Sequence, residues 1–288
     1  MDPTKGDDAP SIPAATSKTL ALFASICDRA AEVLGANADW GESGRRDGQY
    51  SIDLDVDEVC VRPLLAAGFD VLSEESGLQL HSSERDSSER DGAERDDSER
   101  DDSERDGSGL GGEVVVVDPL DGSTNASLGL PWFATALCLV TNGVPTVATV
   151  TNLATGDRYT AVKDRGADRN GLPILVGSRS PLSESIIATN GLPAAHWGWR
   201  QFRAMGAAAL DIAAVARGGF DGYVDTTTDA HGVWDYLASV LILEEAGGVA
   251  VDALGRDLTV LDHDARRTPI AASHRSLLDE LVAARLVR

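Results

Sequence analysis

Apolar and polar positions repeat with different periods along the first part of the chain, and each period predicts a different element. Residues 17–34 carry apolar side chains about every 3.6 positions, which predicts an amphipathic helix after a polar leader at 1–16. A second helix is predicted at 57–67, followed by a short strand at 69–72. The β-branched run at 113–117 predicts a buried strand.

The second part of the chain alternates short strands with helices. Asn142-Gly143 separates two apolar runs at 133–140 and 147–152, which predicts a β-hairpin. Further elements are predicted as a helix at 203–218, a strand at 223–225, a helix at 234–246 and a strand at 249–252. Because these elements lack a regular βαβ rhythm, a barrel or a simple doubly wound sheet is not expected.

An acidic repeat interrupts the pattern at 82–106. It consists of five pentads ending in Glu-Arg-Asp, and its five Glu, seven Asp and five Arg give a net charge of 12 - 5 = 7 negative units. With almost nothing apolar to bury, the repeat is predicted to be a disordered, solvated insert. A surface that binds a partner protein is the alternative.

The whole chain is strongly acidic. Its formal net charge is -22, and only three of its bases are lysines, at positions 5, 18 and 163. Such a surface repels nucleic acid and anionic membranes, so neither is expected as a partner. It also repels a phosphorylated substrate, so chemistry on phosphate would require cations at the site. An acid excess with few lysines is typical of proteins from salt-loving organisms, which predicts a halophilic protein.

The sequence contains few signals of export or of a membrane. Cys27, Cys60 and Cys138 are scattered and form no CxxC pair, so neither a disulfide framework nor a zinc site is expected. The first residues lack the basic region of a signal peptide, and Pro131 and Pro145 interrupt the longest uncharged run. We therefore expect a cytoplasmic protein.

Three acidic segments carry candidate chemistry. Asp118-Pro119-Leu120-Asp121 leaves the buried strand and precedes Gly122 and Ser123, whose backbone N–H groups at a predicted helix start could bind a phosphate oxygen. An Asp-rich turn would use the same residues. Glu74-Glu75 follows another strand, and Asp235 stands in the first turn of a predicted helix, where it could merely cap that helix.

Taken together and in this order, the three segments resemble the inositol monophosphatase family. That family has Glu-Glu after a strand, Asp-Pro-(Ile/Leu)-Asp-Gly-(Thr/Ser)-x-Asn after a second strand, and Trp-Asp at a late helix. The corresponding residues here are Glu74-Glu75, residues 118–125, and Trp234-Asp235. Further matches are Asn142-Gly143-x-Pro145, Asn170-Gly171-x-Pro173-Ile174, Arg203-x-x-Gly206-Ala207, Glu244-Glu245-Ala246-Gly247-Gly248 and Ala272-Ser273.

The resemblance implies a Mg²⁺-dependent phosphatase with roles for particular residues. Two Mg²⁺ ions would polarise the phosphate and activate a water for in-line attack. The first ion would be held by Glu74, Asp118 and the Leu120 carbonyl, and the second by Asp118, Asp121 and Asp235. Gly122 and Ser123 would contact phosphate, and the Ser123 hydroxyl, where the family commonly has Thr, would orient the water.

The chain departs from the family pattern in two places. The family pairs this hydroxyl with an additional Asp, for which Asp53, Asp55 and Asp57 are candidates; we favour Asp57 as the catalytic partner of Glu74 and Ser123. Extra residues occur at 226–232, and the family's Glu that contacts substrate hydroxyls has no clear equivalent. The five histidines, including His231 beside this segment, are expected to be structural or on the surface.

The resemblance also implies the fold. It is an α/β (α+β) layered αβαβα sandwich of the inositol monophosphatase and fructose-1,6-bisphosphatase type, formed by one domain at 17–288 whose two halves join near 152–153. A small phosphorylated substrate, most simply inositol 1-phosphate, and a homodimer are expected. Fructose-1,6-bisphosphatase, 3′-phosphoadenosine-5′-phosphate phosphatase and histidinol-phosphatase activities are alternatives. A catalytically silent protein that binds a partner through the pentads is an alternative of another class.

Overall fold

A computed structural model describes residues 12–37, 39–44, 49–81, 112–178 and 180–286. The acidic pentads at 82–106, predicted to be disordered, lie outside these ranges. The described residues contain these α-helices: α1 (Ala14–Asn37), α2 (Ser51–Ala66), α3 (Ser123–Ser127), α4 (Ala208–Ala216), α5 (Leu237–Glu245) and α6 (Arg275–Leu286). No helix in these ranges is both long enough and apolar enough to span a bilayer.

The strands form two sheets. The eight-stranded sheet has the order β2-β1-β3-β4-β5-β6-β7-β8, and the five-stranded sheet has the order β10-β9-β11-β13-β12. The strand bounds are β1 (Asp70–Ser73), β2 (Gly77–Gln79), β3 (Glu113–Asp121), β4 (Ala134–Thr141), β5 (Val144–Asn152), β6 (Arg158–Val162), β7 (Ala167–Arg169), β8 (Leu172–Ile174), β9 (Ile186–Asn190), β10 (Gln201–Arg203), β11 (Gly222–Asp225), β12 (Val249–Asp252) and β13 (Pro269–Ala272).

Five layers alternate, which confirms the predicted αβαβα sandwich. Helices α1 and α2 pack on the outer face of the eight-stranded sheet, α4 and α5 lie between the two sheets, and α6 packs on the outer face of the five-stranded sheet. The packing of strand β3 explains its continuous run of valines. Val114 and Val116 face α4 and α5, whereas Val115 and Val117 face α1 and α2, so both faces of the strand are buried.

The predicted hairpin is confirmed. Asn142 and Gly143 join β4 to β5 with φ values of 51° and 78°, the left-handed pair that a two-residue hairpin turn requires. The eight-stranded sheet continues to Ile174 and the five-stranded sheet begins at Ile186. The chain therefore passes from the eight-stranded sheet to the five-stranded sheet between Ile174 and Ile186.

Four helices differ from their predicted bounds. Helix α1 begins at Ala14 rather than at 17, and α2 begins at Ser51 rather than at 57. The start of the helix predicted at 203–218 was wrong, because β10 ends at Arg203 and Gly206, with φ of 82°, precedes α4. The helix predicted at 234–246 is divided into a short 3-10 helix, Val233–Asp235, and α5.

Candidate metal centre

A cavity of about 310 Å³ opens where β1 and β3 end. Its lining is dominated by carboxylates from distant parts of the chain. The lining residues are Gln49, Asp53, Glu74, Glu75, Asp118, Leu120, Asp121, Gly122, Ser123 and Asp235. All the residues predicted to bind metal or phosphate are therefore brought together in one place.

A β-bulge aims Asp118 and Asp121 at this cavity. Residues three apart in a regular strand point to opposite faces of the sheet. Between Asp118 and Asp121, β3 advances three residues while β4 advances only two, from Ala136 to Ala134. The extra residue in β3 reverses the alternation, so both carboxylates reach the same cavity.

Glu74 and Asp235 approach Asp118 from two other segments. Glu74 follows β1 directly, and its backbone N–H donates to the Val117 carbonyl at 3.1 Å, which fixes it beside β3. Asp235 ends the 3-10 helix Val233–Asp235. Glu74, Asp118 and Asp235 each offer a carboxylate oxygen within 4.8 Å of the other two. Like charges this close repel one another strongly unless a cation lies between them.

The electrostatics of Asp118 show the consequence of this crowding. Burial, followed by the charges of Glu74, Asp121 and Asp235, raises the pKa of Asp118 well above its ordinary value. Asp118 Oδ1 accepts a hydrogen bond from the Leu120 N–H at 3.1 Å. Within the described part of the chain, the buried Oδ2 of Asp118 has no hydrogen-bond partner.

Asp121 is held by the first turn of α4. Its Oδ1 accepts from the Ala208 N–H at 3.2 Å and its Oδ2 from the Ala209 N–H at 2.8 Å, so a remote carboxylate caps this helix. Burial and then the charge of Asp235 raise the pKa of Asp121 to about 7, although the hydrogen bond from Ala209 opposes the shift.

A buried histidine, His231, supports Asp235, although the sequence predicted only a structural or surface role for it. His231 Nδ1 lies 3.0 Å from Asp235 Oδ2, while Nε2 lies 2.9 Å from the Tyr223 hydroxyl and 3.6 Å from Asp225 Oδ2. Burial opposes the charged imidazole, but the hydrogen bond and charge of Asp235 outweigh burial and raise the pKa of His231. Its i, i+4 spacing to Asp235 is the only local signal for this contact.

Gly122 and Ser123 line the cavity, and α3 begins at Ser123, where a helix start was predicted. Gly122 has a φ of 84°, and a Cβ there would lie 3.0 Å from both the Ala207 Cβ and the Trp132 carbonyl oxygen. Only glycine therefore fits this junction. The Ser123 residue lines the same cavity beside Asp121.

The three aspartates at 53, 55 and 57 lie on α2, because this helix begins earlier than predicted. Asp53 lines the cavity, and its Oδ2 accepts the Tyr50 N–H at 2.8 Å. Asp57, the residue favoured by the sequence analysis, is not part of the lining; its Oδ1 accepts a hydrogen bond from the Ser73 hydroxyl. Asp55 is exposed on another face of the helix. The geometry therefore favours Asp53.

Gln49 is a lining residue that the sequence analysis missed. Its Nε2 donates to Glu75 Oε2, and its Oε1 accepts from the Ser43 hydroxyl at 2.5 Å. Gln49 is only 4% exposed. No motif includes Gln49. It reaches the cavity because the residues before α2 pack beside the turn after β1, and this packing could not be predicted from the sequence.

Two motif residues outside the cavity lining, Asn125 and Glu245, make contacts that stabilise the fold. Asn125 donates from Nδ2 to the carbonyls of Trp132 and Met205 at 2.8 and 2.7 Å, which ties α3 to the segment before α4. The carboxylate of Glu245 accepts the N–H groups of Asp164 and Gly166 at 2.8 and 2.7 Å, and so closes the turn between β6 and β7. These contacts give Asn125 and Glu245, which belong to two of the family motifs, a structural role.

Of the extra residues at 226–232, Thr226 and Asp229 bind groups outside the cavity, whereas His231 and Gly232 hydrogen-bond Asp235. Thr226 donates from both its N–H and its hydroxyl to the Asn190 carbonyl, at 3.0 and 2.7 Å. Asp229 pairs with Arg256 at 2.6 Å. Asp225 is fully buried beside His231 and does not line the cavity. Among the described residues, therefore, no carboxylate from β11 reaches the cavity.

The donor set fits Mg²⁺. Mg²⁺ prefers oxygen ligands, and the cavity supplies carboxylates from Glu74, Asp118, Asp121 and Asp235 together with Leu120 of the bulge. Asp118 Oδ2 is a buried acceptor without a protein donor in the described chain, as expected of an atom that binds a cation. Neutralisation by a cation would also relieve the repulsion that raises the pKa of Asp118.

Comparison with known proteins relates this site to one family. The model of the Inositol monophosphatase family matches residues 72–287. An inositol-1-monophosphatase of Rhizobium meliloti is 39% identical over 157 residues, which are 49% of this chain and 57% of that protein. An inositol monophosphatase of Mesembryanthemum crystallinum is 34% identical over 184 residues, which are 59% of this chain and 66% of that protein. This chain therefore spans less than two thirds of the length of these curated relatives.

The similarity extends to the fold. A solved structure of inositol monophosphatase from Anabaena (Nostoc) superposes with a TM-score of 0.69 at 25% identity, covering 94% of this chain and 96% of that one. The superposed part of this chain therefore includes residues before position 72, where the match to the family model begins.

Proposed function

Because this chain belongs to the inositol monophosphatase family, we propose that it is a magnesium-dependent phosphatase that hydrolyses small phosphate monoesters. Inositol 1-phosphate is the leading substrate. The observation that carries the proposal is the convergence of Glu74, Asp118 and Asp235, which leave three separate segments and meet within 4.8 Å in one cavity. We also propose that the protein is a cytoplasmic homodimer.

The proposed metal ligands fall into two groups. Glu74, Asp118 and the Leu120 carbonyl would hold one ion, and Asp118, Asp121 and Asp235 the other. When bound, the ions supply positive charge for the phosphate oxygens and the leaving oxygen and lower the pKa of a water. Ordering these acids in advance requires the β3 bulge and the contacts of Asp121 with α4 and of Asp235 with His231.

Three further residues would act on phosphate and water. Gly122 and Ser123 would bind phosphate at the cavity wall, where Gly122 allows the close approach of neighbouring backbone. We assign the position beside the Ser123 hydroxyl to Asp53 in place of Asp57, because Asp53 lines the cavity and Asp57 does not. Together Ser123 and Asp53 would orient the attacking water.

The lining favours a monophosphate. A relative from Methanothermobacter thermautotrophicus carries the name fructose-1,6-bisphosphatase/inositol-1-monophosphatase, so both substrate types are candidates. Among the described residues that line the cavity, none is Lys or Arg, so no cationic side chain there would bind a second phosphate.

A substrate panel tests the proposal. Phosphate release is measured from inositol 1-phosphate, fructose 1,6-bisphosphate, 3′-phosphoadenosine 5′-phosphate and histidinol phosphate, with Mg²⁺ varied and KCl scanned to molar concentrations. We expect the highest kcat/KM for inositol 1-phosphate and no release in EDTA. Absence of release from every substrate at all KCl concentrations would favour the alternative of a silent partner-binding protein.

A further inference from the structure

The loop between β12 and β13 returns to the metal centre through residues 263–267, which we name the 263–267 segment. His263 Nε2 lies 3.0 Å from the Glu74 carbonyl oxygen. Because a carbonyl only accepts, Nε2 carries the hydrogen and donates it. The His263 ring also packs on the Trp234 indole, with ring centroids 4.8 Å apart and planes inclined by 31°.

Two more contacts attach the same segment. The Arg266 guanidinium carbon lies 5.1 Å from the centroid of the Trp234 ring. Arg267 and His231 exchange backbone hydrogen bonds, from the Arg267 N–H at 2.8 Å and from the His231 N–H at 3.2 Å. The segment is therefore attached at both its ends.

Each partner of this segment belongs to the metal centre or adjoins it. Glu74 contributes a carboxylate from the residue after β1, whereas Trp234 precedes Asp235, which contributes a carboxylate from the 3-10 helix Val233–Asp235. His231 hydrogen-bonds Asp235 directly. The 263–267 segment thus connects the two sides of the cavity that contribute opposing carboxylates.

The carboxylates on these two sides repel one another. Glu74 and Asp235 offer oxygens within 4.8 Å, and nothing in their own charges favours that approach. A contact that holds the backbone of Glu74 against Trp234 would maintain the separation that a shared cation site requires. Ordering of ligands by outer contacts of this kind commonly sets metal affinity.

We propose that His263 is a positioning residue that holds Glu74 opposite Asp235 and thereby sets the affinity of the site for Mg²⁺. The inference rests on the metal centre assigned under the proposed function. His263 is not part of the cavity lining, so it acts through Glu74 and Trp234 rather than on substrate. A purely structural role would lower the stability of the protein and leave its affinity for Mg²⁺ unchanged.

Substitutions at His263 separate its two contacts. His263→Phe keeps an aromatic ring against Trp234 and removes the N–H donor to Glu74. In His263→Gln the amide nitrogen can take the place of Nε2 and restore the donor. The exposed His196, in the segment before β10, provides His196→Ala as a matched control for loss of an imidazole.

The measurement is the thermal midpoint of metal-stripped protein titrated with Mg²⁺ alone, from which linkage gives the dissociation constant. We expect His263→Phe to bind Mg²⁺ about tenfold more weakly than wild type. His263→Gln should recover at least half of that loss on a logarithmic scale, and His196→Ala should match wild type. The midpoints without metal should stay close to one another.

The outcomes distinguish this inference from the proposed function. A wild-type midpoint that does not respond to Mg²⁺ would remove the metal centre and the proposed function with it. A wild type that responds, with an equal dissociation constant for His263→Phe, would overturn only the role of His263. If His263→Phe does not fold, His263→Ala replaces it and must show the same loss of affinity.

Discussion

Two buried carboxylates, Asp118 and Asp121, make the metal-free protein sensitive to pH. Burial and neighbouring acids raise the pKa of both residues, that of Asp121 to about 7. In the unfolded chain an aspartate has a pKa of about 4. Between these pKa values the folded protein binds more protons than the unfolded chain, so this contribution to stability falls as the pH rises.

We therefore expect the thermal midpoint in EDTA to fall between about pH 5.5 and about pH 7.5, and to fall less steeply in Asp118→Asn. The substituted amide would keep an oxygen that accepts the Leu120 N–H while removing the charge. Mg²⁺ should raise the wild-type midpoint more at the upper end of this range, where fewer protons compete for the carboxylates. Scanning calorimetry provides the measurement. Equal slopes for wild type and Asp118→Asn would contradict this explanation.

Among single residues, the sequence motifs identified those site residues that lie close to one another in the chain. Asp118, Asp121 and Ser123 share one strand and turn, so their spacing already indicated a common site. Gln49 and His231 could not be placed in this way. Gln49 contacts Glu75 across 26 residues, and the several partners of His231 depend on how β11 and the 3-10 helix pack.

At the scale of elements, the positions of strands and turns along the chain were easier to predict than their backbone geometry. The apolar run of β3 and the turn after it were evident in the sequence, but the β-bulge that turns Asp118 and Asp121 to one side was not. Placing the start of α2 at 57 left Asp53 outside the helix. In the structure Asp53 is the N3 residue of α2, and it accepts the Tyr50 N–H as a capping side chain.

The elements around the acidic insert predict that it has little effect on catalysis. Its described anchors are His81, which pairs with Asp70 at 2.8 Å, and Gly112, which accepts the Asn142 N–H at 2.8 Å. Asp70 and Glu113 begin β1 and β3, whereas the cavity lies where these strands end. The rise of β3 from Glu113 to Asp118 spans roughly 17 Å.

We therefore expect deletion of residues 82–106 to leave kcat for inositol 1-phosphate within about twofold of the full chain at high KCl, where long-range charge effects are screened. Phosphate release and the thermal midpoint of both proteins, measured side by side, check this expectation. A large fall in kcat with an unchanged midpoint would mean that the insert contributes to the site.

For the whole molecule, the family resemblance predicted the order of the layers, because each motif belongs to a known place in that sandwich. The return of the loop that carries the 263–267 segment had no such signal. Its contacts join residues separated by as many as 189 positions, and they form only when both sheets are assembled. Long-range pairing of this kind cannot be derived from local periodicity.

Acids from three segments of the chain meet in one cavity, where we propose that they bind the Mg²⁺ ions required for phosphate release. The most direct measurement is kcat/KM for inositol 1-phosphate at saturating Mg²⁺ in Asp118→Asn. The control is Asp211→Asn, which changes a buried aspartate outside the cavity that accepts the Trp132 indole N–H. We predict a loss of about a thousandfold in Asp118→Asn, since the ions supply several kcal/mol of transition-state stabilisation, and a small change in the control. Retention of more than about a tenth of wild-type kcat/KM by folded Asp118→Asn would contradict the claim.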